Sequence, residues 1–230
     1  MTWNSLGTWL KIIFRQLILV MSMLCGDETG PLVLDMGSRS FKFGFGGEDA
    51  PKGWINSAVG LDNSGNKRHS LLHQSMDTQV LWAKEDGKVK DWDITRELWS
   101  QAIEHDLNSK PSEHPILIAS PTNEDDHERA KMAELMFEDF NVPALFLARN
   151  AQLSAFSVGR ASAMIVDIGS SGATAAAVHD GFVLRKTISK SCVGGDWVDE
   201  HMMRVLETGL FSEDGKESVP FKVSCLLKPG

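Results

Sequence analysis

The strongest constraint on what this chain can fold into is a short phrase that occurs twice. Leu32-Val33-Leu34-Asp35-Met36-Gly37-Ser38 and Ile165-Val166-Asp167-Ile168-Gly169-Ser170-Ser171 share one pattern: an aliphatic run, an Asp, one apolar residue, then Gly and Ser. Short β-branched and aliphatic runs read as buried strands. Gly and Ser after them read as a tight bend. A second strand-like run follows each bend, Phe41 to Phe45 in one copy and Ala175 to Val178 in the other. A strand, a small-residue bend and a returning strand turn backbone N–H groups and hydroxyls toward an anion, as phosphate-binding turns do. The Asp beside each bend suits a metal held through water. Asp-x-Gly-Ser is also ordinary turn chemistry. Its repetition, far apart and in the same strand context, points to two related half-domains facing one nucleotide.

With 230 residues the chain has room for one large domain or two small ones. Its net charge of −8 argues against a sequence-specific nucleic-acid binder and fits basic protein partners. Cys25, Cys192 and Cys225 are widely separated, so no disulfide framework is expected. The sequence has neither a Cys-x-x-Cys nor a His-x-x-x-His motif with a Glu, so no zinc site is expected. Near the N-terminus, the uncharged run Gln16 to Gly26 is shorter than the roughly 20 residues a membrane span needs, and no membrane partner is inferred. It reads either as a signal peptide, with Lys11 and Arg15 as the charged region, or as an extension upstream of a fold that begins near Met21 or Met23.

Along the chain, Trp54 to Val59 predicts one short strand. Residues 61–79, rich in Gly, Asn, Ser and His, predict a surface excursion. Asp93 is a candidate N-cap for a helix that buries Ile94, Leu98, Ala102 and Ile103. His114 to Ala119 predicts a strand. Glu124 to Phe140 predicts an amphipathic helix with an acidic start and with Met132, Leu135, Met136 and Phe140 inward. Pro143 to Leu147 predicts a strand, followed by a short helix to Val158 that Gly159-Arg160 stops. Asp180-Gly181 predicts a hairpin turn, and Gly194-Gly195 the opening of a helix through about Leu206. Trp54, Trp82, Trp92, Trp99 and Trp197 are expected in packing roles. Alternating strands and helices of this kind mean an α/β fold.

At these residues the chain resembles actin and the actin-related proteins, from about Gly30 to Glu207. Leu32 to Ser38 looks like that family's first phosphate loop, and Gly44-Phe45-Gly46-Gly47-Glu48-Asp49-Ala50-Pro51 like the segment after it. Glu113 to Leu117, Glu134 to Glu138, Phe140 to Ala144, Leu153 to Phe156, Gly159-Arg160 and Asp167-Ile168-Gly169 follow in family order and spacing. Val89-Lys90-Asp91-Trp92-Asp93, Leu145-Phe146-Leu147-Ala148 and Gly194-Gly195-Asp196 look most like the nuclear actin-related subunits of chromatin-remodelling and histone-acetyltransferase complexes.

The resemblance implies an actin-like ATPase (ribonuclease H-like) fold, with the N-terminal large domain and the start of the second half. Its divisions would be residues 1–29 as an extension or arm and 30–160 as a first domain, with a small excursion at about 54–90. Residues 161–209 would start the second domain, and 210–230 would be a divergent tail. The implied nucleotide-facing residues are Asp35, Gly37, Ser38, Lys42, Asp167 and Gly169, with Lys42 at the position of the family's phosphate-reaching lysine. Departures matter as much. Arg39 stands where conventional actin has Gly, and its side chain is expected to meet either a phosphate or solvent. Asn150 replaces the water-positioning Gln. Ser170 replaces an Asp, Ser171 a Gly, and Thr174 a His. No catalytic residue and no direct metal ligand is therefore assigned. The cofactor implied is ATP with magnesium, weakly held. The implied function is a non-catalytic nuclear subunit, also found in the cytoplasm. Its implied partners are actin, a helical segment of a remodelling ATPase, and histones. The alternatives are a working actin-class ATPase and a polymerising, ATP-binding cytoskeletal protein.

Overall fold

The computed structural model describes residues 30–61, 67–68 and 79–208. Both ends of the chain and most of the 61–79 excursion lie outside the described residues, so the expectations placed on them are not followed further.

The first hairpin is β1 (Leu32–Met36) and β2 (Ser40–Phe45), and β3 (Gly53–Asn56) extends it. The predicted Trp54 to Val59 strand is in fact two strands in different sheets, β3 and β4 (Ala58–Leu61), parted at Ser57. The Ser57 N–H donates to the carbonyl of Arg39, and its own carbonyl accepts from Ala83 N–H, so long-range pairing sets the break. β4 lies between β5 (Lys67–Arg68) and β6 (Gln79–Trp82), and β7 (Lys84–Glu85) with β8 (Lys88–Val89) makes a small hairpin.

Helix α1 (Trp92–Ser100) starts two residues earlier than expected. Its N-cap is Asp91, not Asp93: the Asp91 carboxylate accepts from the N–H groups of Asp93 and Ile94 at 2.9 and 3.0 Å. The helix continues through a π-helical stretch, Gln101–Asp106, and the four residues expected on its inner face are all buried. Then come β9 (Ile116–Ser120), α2 (Asp126–Glu138), β10 (Leu145–Arg149) and α3 (Asn150–Ser157). The acidic start of α2 divides in two. Asp125 caps the helix through the Glu128 N–H, whereas Glu124 lies ahead of the helix with its side chain fully buried against Arg129. β1, β9 and β10 run parallel, and the sheet order is β10-β9-β1-β2-β3. Its core joins Leu32, Leu34, Phe41 and Phe43 to Leu98 and Trp99 of α1 and to Met132 and Met136 of α2. Leu135 packs at its margin, and Phe140, just past the helix, meets Trp99 edge-on.

α3 ends at Gly159, whose φ of +68° takes the left-handed cap conformation. The second sheet follows: β11 (Ala163–Ile168), β12 (Ala173–His179), β13 (Phe182–Val183) and β14 (Ser189–Ser191), with β12 at its centre. Asp180-Gly181 forms the tight turn expected of it, both residues at positive φ. The core of this sheet is small: Ala151 and Ala155 of α3 sit on Ala176 and Val178. The last element among the described residues is α4 (Gly195–Thr208).

Candidate functional site

The two repeated phrases fold into the same object. Asp35 pairs with Lys42 and Met36 with Phe41 in the first hairpin; Asp167 pairs with Thr174 and Ile168 with Ala173 in the second. Four residues close each loop, and in each the leading glycine donates to the carbonyl of the fourth: Gly37 to Ser40 and Gly169 to Gly172, both at 2.9 Å. The backbone N–H groups of Ser38, Arg39, Ser170 and Ser171 donate no hydrogen bond among the described residues. Such loops leave N–H groups and serine hydroxyls available to an anion.

The structure also brings the loops to one place. Asp35 and Asp167 are near enough to repel, across the space between the hairpins. Burial raises the Asp35 carboxyl above its ordinary range, while Lys42 and Lys84 pull it down. The Asp167 carboxyl is raised by burial first and by Asp35 second, with Lys42 acting against both. Gly37 and Gly169 are exposed and Ser38 is half-buried, so both bends are open to solvent. Lys42 lies on the same row as Asp35 and Trp54, with its ammonium 5.4 Å from the Trp54 ring centre.

Several residues of this site are ones the sequence reading missed. Lys84 donates from Nζ to the Met36 carbonyl at 2.7 Å, under the first bend. Burial lowers its pKa, and the charges of Asp35, Glu128 and Glu124 oppose that shift. Glu124, beside it, is held above the usual carboxylate range by burial. Lys84 sits in no motif, and only its contact with the Met36 carbonyl identifies it, whereas Glu124 was expected only as part of an acidic helix start. Arg39 is partly exposed but does not point freely into solvent. Its Nε donates to Asp196 Oδ1 at 2.7 Å, and its guanidinium lies 4.3 Å from the Trp82 ring centre. Trp99 and Trp92 pack in the core as expected, but Trp54 and Trp197 do not, being 55% and 46% exposed.

The first turn of α4 is bolted to the second loop. Gly195 N–H donates to the Gly169 carbonyl and Asp196 N–H to the Ser170 carbonyl, at 3.0 and 2.8 Å. A side chain at Gly194 would put its Cβ 2.4 Å from Gly172 N, so only glycine allows this approach. At the start of α3, whose first residue is Asn150, Ala151 N–H donates to the buried Thr122 hydroxyl.

The donor set fits the phosphate end of a nucleotide: unpaired loop amides, serine hydroxyls and one lysine, with a carboxylate at the foot of each bend. Among the described residues no three His, Cys, Asp or Glu side chains gather to hold a metal directly. A surface hollow of about 700 Å³ lies elsewhere, between α1 and the end of α2, where Arg96 and Asp139 pair at 3.0 Å.

A family model described as Actin matches residues 26–220. The chain is 37% identical over 222 residues to Actin-related protein 4 of Oryza sativa subsp. indica, covering 81% of this chain and 50% of that protein. Against Actin-related protein 4 of Schizosaccharomyces pombe it is 32% identical over 215 residues, covering 89% of this chain and 50% of that protein. Against the SWI/SNF and RSC complexes subunit arp42 of Schizosaccharomyces pombe it is 29% identical over 189 residues, covering 79% and 45%. The chain spans about half the length of the curated relatives it matches.

Proposed function

Because this chain belongs to the actin family, we propose that it is a non-catalytic actin-related subunit of nuclear chromatin-remodelling and histone-acetyltransferase complexes. In this reading it regulates transcription through protein–protein contacts. Actin and a helical segment of a remodelling ATPase are its partners, and its acidic surface meets histones. The observation that carries the proposal is the 37% identity to an Actin-related protein 4. Support comes from the relative whose name places it in the SWI/SNF and RSC complexes. The test is affinity purification of the tagged full chain from nuclear extract, with mass spectrometry of what accompanies it. A remodelling ATPase and actin are expected, and recovery of cytoskeletal proteins alone would overturn the reading.

In the same proposal the cleft holds nucleotide weakly. Gly37, Ser38, Lys42 and Gly169 would bind the phosphates. Asp35 and Asp167 would face a hydrated magnesium, which when bound neutralises phosphate charge. Exposed loops facing a wet cleft gain little, since water competes for each hydrogen bond. Titration calorimetry of this 230-residue chain with ATP and magnesium is expected to show no binding tighter than about 10 μM, or about −7 kcal/mol.

Hydrolysis needs a water held in line. Asn150 is one methylene shorter than the family's Gln, and Ser170 brings no charge where the family has Asp. A misplacement of about 1 Å can slow such a step on the order of a hundredfold. No steady-state ATP turnover above background is expected. Turnover that Asp167→Asn abolishes would show an active enzyme instead.

A further inference from the structure

Arg39 is the one side chain of the first phosphate loop that reaches the second half of the molecule. Its partner, Asp196, is 157 residues away in sequence and sits in the first turn of α4. That turn is itself held by the second loop, through Gly195 to the Gly169 carbonyl and Asp196 to the Ser170 carbonyl. The path from one hairpin to the other is therefore short: the Gly37-to-Ser40 loop, Arg39, Asp196, the Gly169-to-Gly172 loop. Trp82, on β6 of the three-stranded sheet, forms the seat under the guanidinium. One cation thus touches three parts of the molecule.

The chemistry of the contact is that of an exchangeable one. A guanidinium binds carboxylate and phosphate with the same planar set of N–H donors. The bond is short at 2.7 Å, yet both side chains keep about a third of their surface in water, 35% for Arg39 and 34% for Asp196. It is strong enough to form and open enough to be displaced. An anion entering between the loops meets the same guanidinium, because Arg39 is itself a loop residue.

We infer that Arg39, Asp196 and Trp82 form an interdomain clasp that closes the two phosphate hairpins on each other, and that a polyphosphate opens it by taking the guanidinium from Asp196. The clasp deepens the nucleotide-cleft reading above, and its trigger rests on that reading. It makes the first half of the chain sense the anion through a bond that the second half loses. Cleft occupancy and the set of α4 are then linked as competing states.

The test uses the full chain and inorganic tripolyphosphate, with hydrogen exchange read by mass spectrometry at Gly37-to-Ser40 and at Gly195-to-Val198. Arg39→Ala and Asp196→Asn are each expected to speed exchange about tenfold in the partner's segment as well as their own, and the double variant no further. Exchanging the charges, Arg39→Asp with Asp196→Arg, is expected to restore most of the protection, which separates loss of the clasp from loss of the fold. Tripolyphosphate is expected to loosen the α4 segment of the unmodified chain. It should bind Asp196→Asn about tenfold more tightly than the unmodified chain, and Arg39→Ala more weakly. Unchanged exchange in the partner's segment overturns the clasp. Binding of tripolyphosphate that is no tighter in Asp196→Asn overturns the trigger. If no variant binds the anion while the single variants still loosen both segments, the nucleotide reading fails and the trigger with it.

Discussion

Both hairpins bend through a four-residue loop in the same register, but their surroundings differ. The first lies inside a five-stranded sheet, with Leu32, Leu34, Phe41 and Phe43 at most 2% exposed beneath α1 and α2. Among the described residues the second is packed by α3 on one side. On its other face Met164, Val166 and Ile168 of β11 are 77%, 61% and 71% exposed, and Val198 and Met202 of α4 are about half-exposed. One local sequence thus makes one local shape twice, while burial depends on what else arrives. The lesson is energetic. Hairpin geometry comes from bends and ladder hydrogen bonds, but most of its stability comes from the apolar area covered.

The largest expected effect breaks the comparison directly. Leu34→Ala empties a fully buried site and is expected to cost about 3 kcal/mol in urea unfolding followed by circular dichroism. Ile168→Ala, at an exposed position of the second copy, is expected to cost less than about 0.5 kcal/mol. An equal cost at Ile168 would mean that the outer face of β11 is covered in solution.

Next come the loops themselves. Gly172 has a φ of +147°, and a Cβ there would lie 2.2 Å from the Ser191 carbonyl oxygen. At Gly37 the nearest atom is the Ser40 oxygen at 3.1 Å, and no positive φ is involved. Gly172→Ala is expected to cost about 2 kcal/mol and Gly37→Ala less than about 1 kcal/mol, by the same unfolding measurement. The reverse order would show that the first loop, not the second, is the one held by its neighbours.

The smallest effect concerns charge. Both loop carboxyls are raised above the ordinary Asp value of 3.8, so the unfolded chain gives up these protons first. Their contribution to stability is therefore fullest below pH 3.8 and declines as pH rises through the folded values. At Asp167 the charge of Asp35 adds to burial as a cause. Asp35→Asn is expected to move the Asp167 titration down toward its ordinary range, read by carbon-13 carboxyl shifts. An unmoved titration would mean that the hairpins stand too far apart to share one ligand.

Much of the fold was legible because its signals are local. Strand runs, the Gly-Ser bends, the Asp180-Gly181 turn, the Gly159 stop and the inner face of α1 each depend on residues a few positions apart. The cap was expected at Asp93 and falls at Asp91, with Trp92 packed against the core. The break at Ser57 could not be read locally, because its partners are Arg39 and Ala83. Nor could the inward turn of Glu124, or Lys84 beneath the first bend.

The sequence by itself determined that two Asp-bearing hairpins would form in an α/β chain. Backbone preference, side-chain alternation and glycine at the bends act within a few residues. Only the tertiary structure decided that the hairpins face each other, that Arg39 finds Asp196, and that one sheet is buried while the other, among the described residues, leaves a face of β11 exposed. Those outcomes depend on which distant surfaces are pressed together, and a burial or an ion pair across 157 residues leaves no periodic trace in the chain.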